Sequence, residues 1–142
     1  MKKILLSMLM AGCLTGIATA QKVQTSSVPA SVKVTLLKKY PNAAKVTWEK
    51  EKGNYEANWG GKSGEDTSVQ FMPDGTFIEQ VVAIPVNELP TGVAAYVKQH
   101  YKGVKITEAG KVTDAKGTLM YEAEVKGKDL VFDQKGSFLK QD

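Results

Sequence analysis

The sequence predicts an α+β fold made of two copies of one unit, each a helix packed on an antiparallel four-stranded meander. The stretch Phe71-Met72-Pro73-Asp74-Gly75-Thr76-Phe77 recurs 61 positions later as Phe132-Asp133-Gln134-Lys135-Gly136-Ser137-Phe138. Tyr55-Glu56-Ala57 likewise recurs as Tyr121-Glu122-Ala123. Self-similarity over this span indicates a tandem duplication. Because one helix on a small sheet buries too little apolar area alone, the two units should share one core or one continuous sheet.

The first 20 residues have the three parts of a signal peptide. Lys2 and Lys3 precede an apolar run, and Ala18-Thr19-Ala20 is a small-residue cleavage site. The run is short for a membrane span. The chain is therefore expected to be exported to the periplasm or the cell exterior and to have no membrane span. Met10-Ala11-Gly12-Cys13 offers an alternative, a lipoprotein box that would anchor the chain at Cys13. Residues 21–27 are polar and predict a flexible N-terminal arm.

The composition of the exported chain excludes several functions. Removing residues 1–20 removes Cys13, the only cysteine, and with it any disulfide, thiolate nucleophile or cysteine metal site. All 19 basic residues are lysine. Arginine supplies the bidentate contacts by which phosphates and base edges are recognised, so its absence argues against a nucleic-acid partner.

Repeat one is predicted over residues 28–84. A helix begins near Pro29 and buries the stripe Val32, Leu36 and Tyr40, which recurs every four residues. From Ala44 the apolar period becomes two, which predicts strands. The four strands and their bounds are Ala44–Glu51, Tyr55–Trp59, Thr67–Phe71 and Thr76–Ile84. The fourth strand is apolar on both faces, which places it at the centre of a sheet or where the two halves meet.

Repeat two is predicted over residues 87–140 in the same order. Its helix starts near Pro90, buries Leu89, Val93, Tyr96 and Val97, and ends by Gly103. The four strands are expected around Val104–Val112, Thr118–Lys126, Asp129–Asp133 and Ser137–Lys140.

These motifs resemble a known family. The apolar-Pro helix start, the aromatic helix end, the strand ending in Tyr-Glu-Ala and the Phe-x-x-x-Gly-x-Phe hairpin resemble the PepSY-like, beta-lactamase-inhibitor-like domain of secreted bacterial proteins. The resemblance covers residues 28–142 and implies tandem α-plus-four-strand repeats with a non-catalytic binding or inhibitory role. The first helix ends in the Tyr40-Pro41 typical of the family, whereas the second has Tyr101-Lys102. The family's motifs are structural, so they indicate fold more strongly than function.

No set of residues in the sequence indicates catalysis, a cofactor or a metal. Gly60-Gly61-Lys62-Ser63 is similar to the end of a phosphate-binding loop, but that loop requires glycine where this chain has Glu56. Ser137 and Lys140 fit Ser-x-x-Lys without the partner motifs of penicillin-binding enzymes. His100 is the only histidine and lacks other ligands for a metal site. We therefore expect a protein that is not an enzyme.

The alternation of the strands predicts two unlike faces. Trp48 and Trp59 share the face of Val46, Tyr55 and Ala57, which indicates core packing under the helix. The opposite face should be polar and open, and we assign the partner-binding residues there: Thr47, Glu56, Asn58, Gln70, Met72, Met120, Glu122 and Glu124. Simple solvation of this face is the alternative.

Two functions follow from this architecture. The first is a secreted binding module that recognises or inhibits an unidentified protein of the cell envelope or exterior through the open sheet face. The second is a carrier of a small or amphipathic ligand in a crevice between helix and sheet. A cavity above about 300 Å³ would favour the carrier.

Overall fold

The structure, a computed structural model, describes residues 20–142. Its two α-helices, α1 (Ala30–Lys39) and α2 (Thr91–His100), each follow a short 3-10 turn, Thr25–Ser27 and Val86–Glu88 respectively. The strands are β1 (Gln21–Val23), β2 (Thr47–Glu51), β3 (Asn54–Trp59), β4 (Thr67–Phe71), β5 (Phe77–Ala83), β6 (Glu108–Asp114), β7 (Leu119–Val125), β8 (Lys128–Asp133) and β9 (Phe138–Gln141).

The strands are antiparallel, and within each unit neighbours in the chain pair with one another, β1 to β4 in the first and β6 to β9 in the second. The α+β class is therefore confirmed. Each helix is followed by four strands, β2–β5 and β6–β9. The chain divides into two compact units, the first ending at Gln80 and the second running from Val81 to Asp142. The predicted fourth strand corresponds to β5, the fifth strand of the nine.

The segment expected to be a flexible arm is ordered. Gln21, Lys22 and Val23 form β1 and pair with Lys50, Glu49 and Trp48 of β2. Val23 packs against the apolar cluster of the first unit, so it anchors this strand. Residues 25–27 then make the 3-10 turn before α1. The polar composition of 21–27 concealed the single apolar residue that fixes the segment.

The core of the first unit lies between α1 and one face of β2–β4. Its buried members are Val28, Val32, Leu36, Trp48, Tyr55, Ala57, Val69 and Phe71. Trp48 is buried as predicted, whereas Trp59 is only half-buried and packs on Tyr40 with ring centroids 5.3 Å apart. The helix supplies i and i+4 side chains, and the strands supply every second residue, so both periods converge on one cluster.

The core of the second unit repeats this arrangement. Its buried members are Val93, Val97, Ala123, Val125, Leu130 and Phe132. Tyr40 and Tyr101 end their helices with nearly the same backbone angles, φ −131° and ψ 67° against φ −130° and ψ 61°. The change from Pro41 to Lys102 therefore leaves the turn unaltered.

The duplicated hairpins pack against the helices. Gly75 and Gly136 have φ of +86° to +89°, a region that favours glycine. A Cβ on Gly75 would lie 2.7 Å from the carbonyl oxygen of Ser31 in α1, and Gly92 in α2 has the same relation to the carbonyl oxygen of Gly136. Glycine at these positions lets hairpin and helix backbones approach closely.

Candidate functional site

The polar face of the first unit is the side of β2–β4 opposite its core. The strand register places its side chains in rows across the three strands. Thr47 lies opposite Asn58, which lies opposite Ser68; in the next row Glu49 lies opposite Glu56, which lies opposite Gln70. Glu51 follows Glu49 on the same side of β2. Side chains directly opposite on neighbouring strands are within contact distance.

Glu56 is the central acidic residue of this face. Gln70 Nε2 donates a hydrogen bond of 3.3 Å to Glu56 Oε2. Burial raises the pKa of Glu56 to about 7. Hydrogen bonds from Asn58 and Gln70 oppose this rise, whereas the negative charges of Glu49 and Glu51 add to it. Glu56 therefore changes charge near neutral pH, far above the range of an exposed glutamate.

Two further hydrogen bonds join polar residues in the neighbouring row, whereas the buried Glu51 Oε2 has no hydrogen-bond partner among the residues that the structure describes. Ser68 Oγ donates a hydrogen bond to Asn58 Oδ1, and Thr47 Oγ1 donates to the carbonyl oxygen of Asn58 at 3.5 Å. Burial also raises the pKa of Glu51, with Lys52 lowering it and Glu49 raising it further. The face is thus a packed polar layer rather than a set of independent solvated side chains.

The polar face of the second unit is the side of β6–β8 opposite its core. Glu108 lies opposite Glu124, which lies opposite Asp129. Thr107 Oγ1 donates a hydrogen bond of 2.7 Å to Glu124 Oε1. In the neighbouring row Glu122 lies between Gly110 and Val131. Three acidic residues therefore lie side by side in one row of this face.

The two polar faces differ although their backbones correspond. Trp48 and Ala109 occupy the same register position, opposite Ala57 and Ala123. Aligned this way, the neutral row Thr47, Asn58 and Ser68 of the first unit becomes the acidic row Glu108, Glu124 and Asp129 of the second. The row Glu49, Glu56 and Gln70 becomes Gly110, Glu122 and Val131. Most of the acidic residues therefore lie in different rows in the two copies.

Most of the predicted partner-binding residues are much less exposed than expected. Glu56, Asn58, Glu122 and Glu124 are each 5% exposed, and Gln70 is buried as well. The expectation of exposed carboxylates was wrong because these residues lie in interior strands, where neighbours on both sides and cross-strand hydrogen bonds cover them.

Three of the eight predicted residues lie in other surroundings. Thr47 is exposed, and Met72, just beyond β4, is 41% exposed. Met120 is half-buried and packs against Val81 and Val112. Only Thr47 and Met72 of the predicted set are therefore openly accessible side chains.

A groove in the second unit bears on the alternative function, a ligand carrier, although the sequence did not predict where a crevice would lie. It has a volume of about 410 Å³ and lies between the 3-10 turn at Val86, one side of α2 and the segment 103–106. Aliphatic side chains dominate its lining, and Lys98 and Lys105 also border it. This volume is above the threshold of about 300 Å³ that would favour a carrier. One sequence difference in this lining is Ala94, which stands where the first copy has Lys33.

Neither metal ligation nor a membrane span emerges from the described residues. Within residues 20–142, no three histidine, cysteine, aspartate or glutamate side chains are arranged to hold a metal ion. The same part of the chain contains no helix long and apolar enough to cross a membrane. The predicted signal peptide, its cleavage site and the alternative at Cys13 lie outside the described residues.

The repeated architecture agrees with a family model. The model described as "Putative beta-lactamase-inhibitor-like, PepSY-like" matches the chain twice, over residues 17–79 and 61–140. The chain belongs to the PepSY-like family. The two matches overlap over residues 61–79, so they indicate a repeated unit with bounds that differ from the predicted repeats 28–84 and 87–140. No curated protein matches the chain.

Solved structures show the same fold. A DUF2874 family protein from Bacteroides ovatus has a TM-score of 0.66 and 23% identity, covering 82% of this chain and 87% of its own. A BLIP-like protein from Bacteroides fragilis has a TM-score of 0.61 and 23% identity, covering 80% and 85%. A protein from Bacteroides eggerthii described among "putative periplasmic proteins" has a TM-score of 0.67 and 24% identity, covering 81% and 88%.

Proposed function

We propose that this PepSY-like chain is an exported, non-catalytic binding module that recognises or inhibits a protein of the periplasm or cell exterior through the polar face of its sheet. The observation that carries the proposal is the polar layer itself. Glu49, Glu56 and Gln70 lie opposite one another on β2, β3 and β4. They occupy the side of these strands that faces away from the core cluster and α1. Burial disfavours the charged forms of Glu51 and Glu56, and Glu51 Oε2 lacks a hydrogen-bond partner within residues 20–142, so this layer costs stability and its presence supports a role in recognition.

The accessible margin of this face offers the first contacts. Thr47 and Met72 are exposed, while the carboxylates between them are held by cross-strand neighbours. A carboxylate with little access to water is weakly screened, so it still contributes to the potential that a partner meets. A partner with lysine or arginine at its contact surface would match this potential.

Export to the periplasm is part of the proposal. It is supported by the signal-peptide pattern of residues 1–20 and by the description of the Bacteroides eggerthii relative. The description of the Bacteroides fragilis relative as BLIP-like supports an inhibitory form of binding.

The test begins with a partner recovered from the cell envelope by photo-crosslinking. A photoreactive residue at Thr47 or Met72 should form an adduct, and the same residue at Val34 on α1 should not. The pair T47K and M72K should then weaken the complex at least tenfold without changing the melting temperature, because both side chains are exposed.

The matched control is the pair V34K and L37K. Val34 and Leu37 are 63% and 61% exposed on α1, so this pair adds the same charge to the same unit on the helix. It should leave the complex unchanged. If V34K and L37K abolish binding while T47K and M72K do not, the helix carries recognition and the proposal for the sheet face is wrong.

The second candidate function is ligand carriage, and the groove of about 410 Å³ in the second unit favours it. It falls within the size range of small-molecule sites. This candidate concerns a different surface and a different ligand, so both functions can be tested independently.

A further inference from the structure

The groove in the second unit has an apolar lining and a cationic border. Its apolar side chains are Val86, Ala94, Val97, Val104 and Ile106, together with Tyr101. Tyr101 is held in place because its hydroxyl donates a hydrogen bond of 3.1 Å to Gln141 Oε1. The border includes Lys98 and Lys105, both exposed. Apolar walls with a few placed polar groups are typical of small-molecule sites.

The duplication shows how the corresponding place in the first unit differs. The 3-10 turns and helices correspond at an offset of 61, from Thr25–Ser27 to Val86–Glu88 and from Ala30–Lys39 to Thr91–His100. Lys33 therefore corresponds to Ala94, and Thr25 to Val86. Lys33 Nζ reaches across from α1 and donates a hydrogen bond of 3.3 Å to the carbonyl oxygen of Thr25. In the second unit the short side chain of Ala94 cannot make this crossing.

The positive charge at the border of the groove favours a ligand with a negative charge. None of the residues lining the groove is acidic. Within residues 20–142, neither Lys98 nor Lys105 lies within ion-pair distance of a carboxylate. Both ammonium groups therefore remain available to an anion, which would gain charge-assisted hydrogen bonds.

We propose that this groove binds a free, single-chain amphiphile with an anionic head group, such as a medium-chain fatty acid. The acyl chain lies along Val86, Ala94 and Val97, and the carboxylate is neutralised by Lys98 and Lys105. This inference rests on ligand carriage, the second candidate function, and deepens it by naming the ligand class; it is independent of protein binding by the sheet face.

The experiment titrates the exported protein with octanoate, decanoate and dodecanoate, using calorimetry and backbone amide shifts. Amides of Val86, Ala94 and Val104 should shift in a saturable way. The dissociation constant should fall by up to about fourfold per added methylene while the groove covers the added carbon. Dodecyltrimethylammonium has the same chain and the opposite charge, so it should bind at least tenfold more weakly.

Two variants with the same added charge separate groove binding from surface electrostatics. A94K restores the lysine of the first unit and should remove dodecanoate binding with the fold intact, since Lys33 shows that the helix accepts this residue. A95K adds its charge at the neighbouring exposed position, outside the lining, and should bind dodecanoate at least as well as the original chain. The pair K98Q and K105Q should weaken dodecanoate about threefold to twentyfold and leave dodecanol unchanged.

Several results would overturn the inference. Absence of saturable shifts at millimolar dodecanoate would do so, as would equal loss of binding in A94K and A95K. Equal affinity for the cationic amphiphile would contradict the assigned head group. The protein could also adsorb to phosphatidylglycerol vesicles without binding free dodecanoate. If A94K did not reduce that adsorption, the result would show a role at the membrane surface and contradict a ligand site in the groove.

Discussion

Replacing Glu56 by glutamine should stabilise the protein at pH 8 and have little effect at pH 4. Burial raises the pKa of Glu56 from 4.5 to about 7. The folded state therefore binds the proton more tightly than the unfolded state, and stability falls as pH rises between these two values. A difference of this size corresponds to at most about 3 kcal/mol at pH 8. Glutamine stays neutral and can accept the hydrogen bond from Gln70, so E56Q avoids this cost.

The measurement is urea unfolding of both proteins at pH 4 and pH 8. At pH 4 the two free energies of unfolding should agree within about 0.5 kcal/mol, because Glu56 is largely protonated in both states. At pH 8 E56Q should be more stable by about 1–3 kcal/mol. E88Q is the matched control: Glu88 is exposed in the second 3-10 turn, and its substitution should be neutral within about 0.5 kcal/mol at both pH values.

A loss of stability in E56Q at pH 8 would refute this reasoning. It would mean that the ionised carboxylate is favourably solvated or paired in the folded state. A gain of equal size at both pH values would also count against it, because the effect must follow the titration of Glu56.

Three further predictions follow from burial, backbone contact and processing. W48A and F132A should each reduce the free energy of unfolding by about 3–5 kcal/mol in urea melts, since both rings are buried in their clusters; losses below about 1 kcal/mol would contradict the assigned cores. G92A should destabilise the protein by about 1–3 kcal/mol, because its Cβ would lie 2.7 Å from the Gly136 carbonyl oxygen. Alanine favours helices, so thermal melts that show stabilisation would mean that the hairpin moves away from the added methyl group. The intact mass of the exported protein should correspond to a chain beginning at Gln21 without lipid, whereas a mass with an acylated Cys13 terminus would establish a lipoprotein.

The sequence by itself determined the fold class and the core faces. The period of four in the helices and the period of two in the strands follow directly from backbone geometry. Trp48, Ala57 and Phe71 therefore lie on the predicted side. The exact offset of 61 between the copies also located both hairpins, because glycine is required where the backbones of hairpin and helix nearly touch.

Only the tertiary structure decided how accessible each face of the sheet is to solvent and where an open groove lies. Alternation assigns Glu56 to a face but does not reveal that Glu49 and Gln70 enclose it, because that depends on strand register. The order of β1 depends on its pairing with β2 and on the packing of Val23 against the core. At the helix position that borders the groove, only a long side chain reaches across to the 3-10 turn. Lys33 does so and Ala94 cannot, a difference of length that matters only once helix and turn are side by side.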